Sequence, residues 1–519
     1  MKIERTKNAT RSIIFGLIQR IYITFMPFVL RTTMIYIMGV RYVGLSGLFT
    51  SILQVLNLAE LGVGNAMVYS MYKPIAEDDE EKICALLNLY KIYYRIIGAV
   101  IAGIGLILLP FIPMLVKDDL PGGLNIYILY LLNLGATVLS YWLFAYKNSI
   151  LSAHQRGDII AKISLTTTTI LYVGQFLVLI FLRNYYIYML ALLVVQVLNN
   201  IVTSTVVKRI YPKYYAKGKI EQAEKKAIDQ RIKDLFTAKL GSVVINSADT
   251  IVISAFLGLT MLAIYQNYFY IITTIIAFFE IVYGSCMPGI GNSLIVESKE
   301  KNFNDLNRLT FLLNWLAGFC TTCLLCLYQP FMNIWVGENL TLNMSSVLCF
   351  CIYFYIYELD RILSIYKDAG GLWHKDRFRA LITAIANLII NLILVQFWGI
   401  FGVLLSTILT KMLISHPWLM QNLFTTMFEF KRFFTYLKNV LKYVIVTSLA
   451  CVVTFVICNM FDLGNWGNLI TRGLICLVIP NLLFFLVYRK STEFDQALDL
   501  INTMTKGKIN LRKHMTQKA

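Results

Sequence analysis

Spans of about 20 apolar residues recur along almost all of this 519-residue chain, and nothing else limits its folding so severely. At ~1.5 Å rise per residue, a helix of that length crosses the roughly 30 Å hydrocarbon core of a bilayer. Backbone N–H and C=O groups find no water there and must bond within their own segment, so the spans are helices. Composition agrees: 58% of the residues are hydrophobic and 15% charged, with a mean hydropathy of +0.65. The expected fold class is an all-α integral membrane protein with about 14 transmembrane helices. Their expected positions are 12–38, 46–72, 88–113, 125–150, 161–182, 186–207, 235–256, 263–290, 306–329, 343–367, 381–397, 400–420, 437–458 and 468–488. The basic N-terminal segment leads into a span longer than a signal-peptide core, with no small-residue cleavage site, and is expected to stay as the first anchor.

The chain also repeats itself. At a shift of 220, Glu60 meets Glu280, Gly64 meets Gly284, Pro110 meets Pro330, the pair Tyr146-Lys147 meets Tyr366-Lys367, and His154 meets His374. Upstream the register slips by one, so that Arg20 meets Lys239 and Gly39 meets Gly258. Several of these matches pair uncommon residues across two apolar halves. With six spans in each half, both halves enter the membrane in the same direction, which makes the repeat parallel about an axis along the membrane normal. The expected organisation is a six-helix lobe over 1–210, a basic cytoplasmic linker over 211–234, a second six-helix lobe over 235–425, and two extra helices with a basic tail over 426–519. A repeated membrane bundle is a common transporter design, with the substrate site in the cleft between the halves.

A formal charge of +18 would suit nucleic acid, but its placement explains it otherwise. With both termini cytoplasmic, most Lys and Arg fall in cytoplasmic segments, chiefly between Lys208 and Lys233 and after Arg489, as the positive-inside rule requires. Nucleic acid is therefore not expected as a partner, whereas anionic lipid headgroups are.

The charges left inside the spans locate the candidate site. Arg20, Arg31, Lys239 and Arg361 are the candidate substrate-binding cations, and Glu60, Asp249 and Glu280 the candidate cavity or coupling acids. At roughly 2.5–3.5 kcal/mol each on insertion scales, such residues do not face lipid but line water or pair internally. The repeat places a cation in the first helix and an acid in the second helix of each half. Two arrangements follow: ion pairs Arg20–Glu60 and Lys239–Glu280 within the halves, or a hydrated ionic cavity. Pro27 is expected to kink the first helix below Arg31. Asp249, among Asn246, Ser247 and Thr250, is a candidate site for coupling to Na+ or H+; no other cofactor is expected. Glu358, Asp360 and Arg361 are too close in sequence to share one helix face. Lys147, Lys367, Lys91 and Arg95, near inner helix ends, are expected to snorkel to the surface.

Other chemistry is missing. Cys320, Cys323 and Cys326 recur every third residue, but with no His or second Cys pair nearby in the sequence they read as small packing residues, and no metal is expected. No phosphate-binding loop of the Gly-x4-Gly-Lys-Ser/Thr kind occurs. The short outer loops disfavour a membrane glycosyltransferase, since Lys117-Asp118-Asp119 is the one acidic candidate and reads as a solvated turn. The chain is not expected to be an enzyme.

Fourteen spans as twelve plus two, twin six-helix halves and cations in the first helix resemble the multidrug/oligosaccharidyl-lipid/polysaccharide (MOP) exporter superfamily. Within it, Gly39-Val40-Arg41-Tyr42-Val43-Gly44-Leu45, then Leu58-Ala59-Glu60-Leu61-Gly62-Val63-Gly64, then Met71-Tyr72-Lys73-Pro74-Ile75-Ala76 are similar to bacterial polysaccharide-unit flippases of the Wzx type. That resemblance implies an undecaprenyl-pyrophosphate-linked oligosaccharide, flipped from inner to outer leaflet of the bacterial cytoplasmic membrane for capsule or exopolysaccharide assembly. It also implies polymerase and other polysaccharide-assembly proteins as candidate partners. The basic intramembrane residues suit a pyrophosphate. The rival readings are a lipid II flippase, which differs in cargo, and a cation-coupled multidrug exporter, against which the excess of basic residues counts.

Overall fold

Glycine and capping residues, rather than polar interruptions, set where the helices begin and break. A computed structural model describes residues 5–60, 62–117 and 120–504, and is all-helical over them. The first half comprises α1 (Arg5–Ile37), α2 (Val40–Leu56), α3 (Val63–Ala76), α4 (Glu80–Leu108), α5 (Ile126–Trp142), α6 (Asn148–Ala153), α7 (Gly157–Leu177) and α8 (Tyr185–Ile210). There follow α9 (Gln222–Val296), α10 (Lys299–Val336), α11 (Met344–Ala369), α12 (Trp373–Asp376), α13 (Arg379–Thr410), α14 (His416–Thr426), α15 (Phe433–Cys458), α16 (Gly464–Tyr488) and α17 (Thr492–Met504). Lys239 lies on α9, but its side chain, like Asp118, Asp119 and the tail beyond Met504, is outside the described residues.

The internal repeat is visible in the backbone. Gly39 separates α1 from α2 at φ 110°, ψ 158°, and Gly258 divides α9 at φ 86°, ψ 172°. That region of backbone space is nearly exclusive to glycine. The same N-caps recur: the Asp79 carboxylate accepts from Lys82 N–H at the start of α4, and the Ser298 hydroxyl accepts from Lys301 N–H at the start of α10. Asn125 and Asn343 likewise cap α5 and α11. Each cap satisfies donors that the helix start leaves open.

Among the described residues, eight helices are long and apolar enough to cross a membrane, or nine when the bent pair formed by α5 and the segment Ala145–Ala153 counts as one span. Part of the difference from the expected count of about 14 has an identifiable reason in the backbone. The second expected span is divided by a 3-10 turn at Asn57–Glu60 and by left-handed Gly62. The seventh and eighth run together through Gly258, and the eleventh and twelfth through Gly399. The helices leave large apolar side chains bare, including Ile107, Phe181, Phe397 and Leu474, as a hydrocarbon-facing surface requires.

The chain forms two compact units, Met1–Gln266 and Asn267–Ala519. In the first, α1 packs on α7, α5 on α4 and α8, and α3 on α4 and α6. The start of α9 belongs to this unit. Arg231 donates to the Ser70 hydroxyl at 3.3 Å, Ser254 to the Leu115 carbonyl at 2.6 Å, and a Cβ on Gly44 would lie 2.2 Å from the Leu259 carbonyl oxygen. In the second unit, α10 packs on α11, α15, α16 and α17. An aromatic core of Phe311, Tyr443, Phe484, Tyr488 and Phe494 anchors the last three helices to α10.

Candidate functional site

Glu60 sits where the second expected span breaks. The 3-10 turn that it ends, followed by left-handed Gly62, turns its carboxylate away from the helix axis and toward α4 and α5. Each carboxylate oxygen receives one phenol: Tyr94 donates to Oε1 and Tyr141 to Oε2, both at 2.6 Å. Tyr90, one turn from Tyr94 on α4, donates to the Tyr94 hydroxyl at 2.6 Å. Two short phenol hydrogen bonds, one to each oxygen, fix the orientation of the carboxyl group. The group opens onto a cavity of about 410 Å³ within the first unit, lined by Asn65, Asn148, Asn200, Ser140, Ser149 and Thr203 among others. Amides and hydroxyls of this kind bind hydrated or hydroxyl-bearing groups.

The second unit repeats the plan with a different partner. Glu280, on α9, accepts two hydrogen bonds from Arg361 on α11, from Nε at 2.6 Å and Nη2 at 2.8 Å, a fork-to-fork contact. In both units the acid is held by the residue 81 positions further on, Tyr141 in one and Arg361 in the other. Beside this pair Tyr283 donates to Glu358, and Asp360 lies 3.6 Å from Arg379 and 3.4 Å from His416. Glu358 and Arg361, three residues apart, both turn toward α9, where they meet Tyr283 and Glu280, whereas Asp360 faces Arg379 and His416.

The remaining candidates are spread out. Arg20 is exposed on α1, with no hydrogen-bond or ion-pair partner among the described residues. Arg31 is half-buried and donates from Nη2 to Gln266 Oε1 at 3.3 Å. Pro27 is accommodated within α1, a single helix from Arg5 to Ile37. Asp249 is buried on α9, next to Ser247, which lies 3.4 Å from Gln54. The ion pair Arg20–Glu60 is not among the contacts of the described residues; Glu60 accepts from tyrosine hydroxyls instead, and Glu280 from Arg361. Lys147 does not snorkel: it is buried and donates to the Ser204 hydroxyl at 2.8 Å. The tyrosines around Glu60 were not among the sequence candidates. Their signals were the four-residue spacing of Tyr90 and Tyr94 and the position of Tyr141, which matches Arg361 at a shift of 220.

No family model and no curated protein matches the chain. Solved structures do. The lipid II flippase MurJ in an inward closed conformation superposes with a TM-score of 0.64 at 16% identity, covering 92% of this chain and 98% of that one. An inward-facing multidrug resistance MATE family transporter of the MOP superfamily gives 0.60 at 14% identity over 81% of this chain and 99% of the other. A MATE transporter of Vibrio cholerae, VcmN, gives 0.53 at 14% identity over 82% and 99%. At such identities the likeness is one of fold, and in its fold this chain is similar to the membrane transporters of the MOP superfamily.

Proposed function

We propose that the chain flips an undecaprenyl-pyrophosphate-linked oligosaccharide from the inner to the outer leaflet of the bacterial cytoplasmic membrane by alternating access. The observation that carries this reading is the state of the intramembrane charges. Glu60 is held by two phenols and Glu280 is neutralised by Arg361, whereas Arg20 stands exposed with no ion-pair partner among the described residues. A cation exporter needs the reverse balance. For a dianion leaving a negative-inside cell, ~100 mV supplies about 4–5 kcal/mol. Coupling to Na+ or H+ is assigned to Asp249, and Asp249→Asn should remove any dependence on the ion.

The test is transport of an undecaprenyl-pyrophosphoryl oligosaccharide in vesicles at matched protein levels. A charge-assisted contact worth about 1.5–3 kcal/mol makes Arg20→Ala roughly 10- to 150-fold slower. Arg20→Lys should recover part of the rate, because charge returns without the guanidinium fork. Wild-type transport by Arg20→Ala would place the anion site elsewhere. A second reading, lipid II as cargo, draws on the match to a flippase of that name over 92% of the chain. Faster movement of lipid II than of the oligosaccharide unit in the same vesicles would favour it.

A further inference from the structure

Three helices of the second unit bring their cysteines to one point. The Sγ atoms of Cys326 on α10, Cys458 on α15 and Cys476 on α16 all lie within 4.8 Å of one another, and all three residues are buried. Cys323, one turn before Cys326, packs against them. The sequence shows only the α10 cysteines as a series. Folding adds two more from segments over 130 residues away, which completes a sulfur set that the spacing alone does not reveal.

We propose that Cys326, Cys458 and Cys476, with Cys323 as a fourth candidate ligand, form a site for one thiophilic divalent ion of the Zn2+ class. Zinc binds thiolate at about 2.3 Å, which sets sulfurs about 3.8 Å apart in a tetrahedron, so the observed sulfurs need to close by no more than about 1 Å. Charge also balances. Binding expels three thiol protons, and a divalent ion with three thiolates carries one negative charge. Arg472 lies one turn before Cys476 on α16 and places its cation near Cys458 and Cys476. Its Nε is buried without a hydrogen-bond partner among the described residues. A neutral assembly of ion, three thiolates and guanidinium suits an apolar interior, where a bare charge does not. Cys458 is the last residue of α15, two residues before the exposed Met460, so the cluster lies at one end of that helix. The ion would pin α15 and α16 to α10.

The experiment uses the full chain, purified in detergent under reducing conditions with its affinity tag removed. Elemental analysis after growth in zinc-supplemented medium should find about one zinc per chain, lost in Cys326→Ser and Cys476→Ser and kept in Cys286→Ser, a cysteine outside the cluster. Wild-type protein loaded with Co2+ should show the visible bands of tetrahedral cobalt thiolate, a readout that needs no variant to fold. Absence of both zinc and cobalt bands in the wild type overturns the proposal. So does zinc that survives Cys326→Ser and Cys476→Ser.

Discussion

Glu60 and Glu280 hold equivalent places in two copies of one design, yet one is clamped by phenols and the other by a guanidinium. The Glu280–Arg361 contact is the stronger electrostatic commitment. Its side chains are 35% and 29% exposed, so solvent screens part of the attraction. A double-mutant cycle with Glu280→Gln and Arg361→Met should give a coupling of about 1–2 kcal/mol, read by denaturant unfolding in detergent. Each single variant strands a charge, so the double variant should be less destabilised than the two singles summed. Strict additivity would mean that the pair is not coupled in solution. At the end of α6, His154 is buried, its Nδ1 lies 2.8 Å from the Ile150 carbonyl, and its ring packs against Tyr211. Burial favours the neutral ring and lowers its pKa below the ordinary 6.5. The unfolded chain therefore takes up the proton first as pH falls. The stability due to neutral His154 is fully present above about pH 6.5 and declines below it, by at most about 1.4 kcal/mol per pH unit. Thermal melting from pH 8 to 5 should show this decline in the wild type and a shallower one in His154→Phe. Parallel curves would remove His154 as the cause.

At the level of the element, the breaks carry the repeat as faithfully as the helices do. A Cβ on Gly39 would meet nothing within 4 Å, so a substitution there tests backbone conformation alone. Gly39→Ala should cost about 1–3 kcal/mol for forcing an L-residue into that region. Gly103, inside α4 and equally uncrowded, has an ordinary helical backbone, so Gly103→Ala should be neutral or stabilising by up to about 1 kcal/mol. Melting temperatures in one detergent compare the two, and a shift of both in the same direction would contradict the assignment of the Gly39 break.

Over the whole molecule, the sequence by itself determined the apolar, all-helical fold, the paired breaks of the internal repeat and the cationic first helix. These follow from local rules: a span in hydrocarbon must bond its own backbone, and a glycine or a cap acts on the residues beside it. Glu60, Glu280 and Arg361 could be singled out because charge in an apolar span is costly wherever it points. Which partner each one takes was decided only by tertiary structure. Tyr141 reaches Glu60 and Arg361 reaches Glu280 across 81 residues of chain, and the sulfur cluster joins α10 to helices over 130 residues further on. Such partnerships depend on how each helix is rotated about its axis. In a soluble protein the apolar stripe reveals that rotation, but a helix bathed in lipid is apolar on its outer face as well. Its periodicity therefore fades, and the facing of Cys458, Cys476 and Tyr141 emerges only when the helices pack.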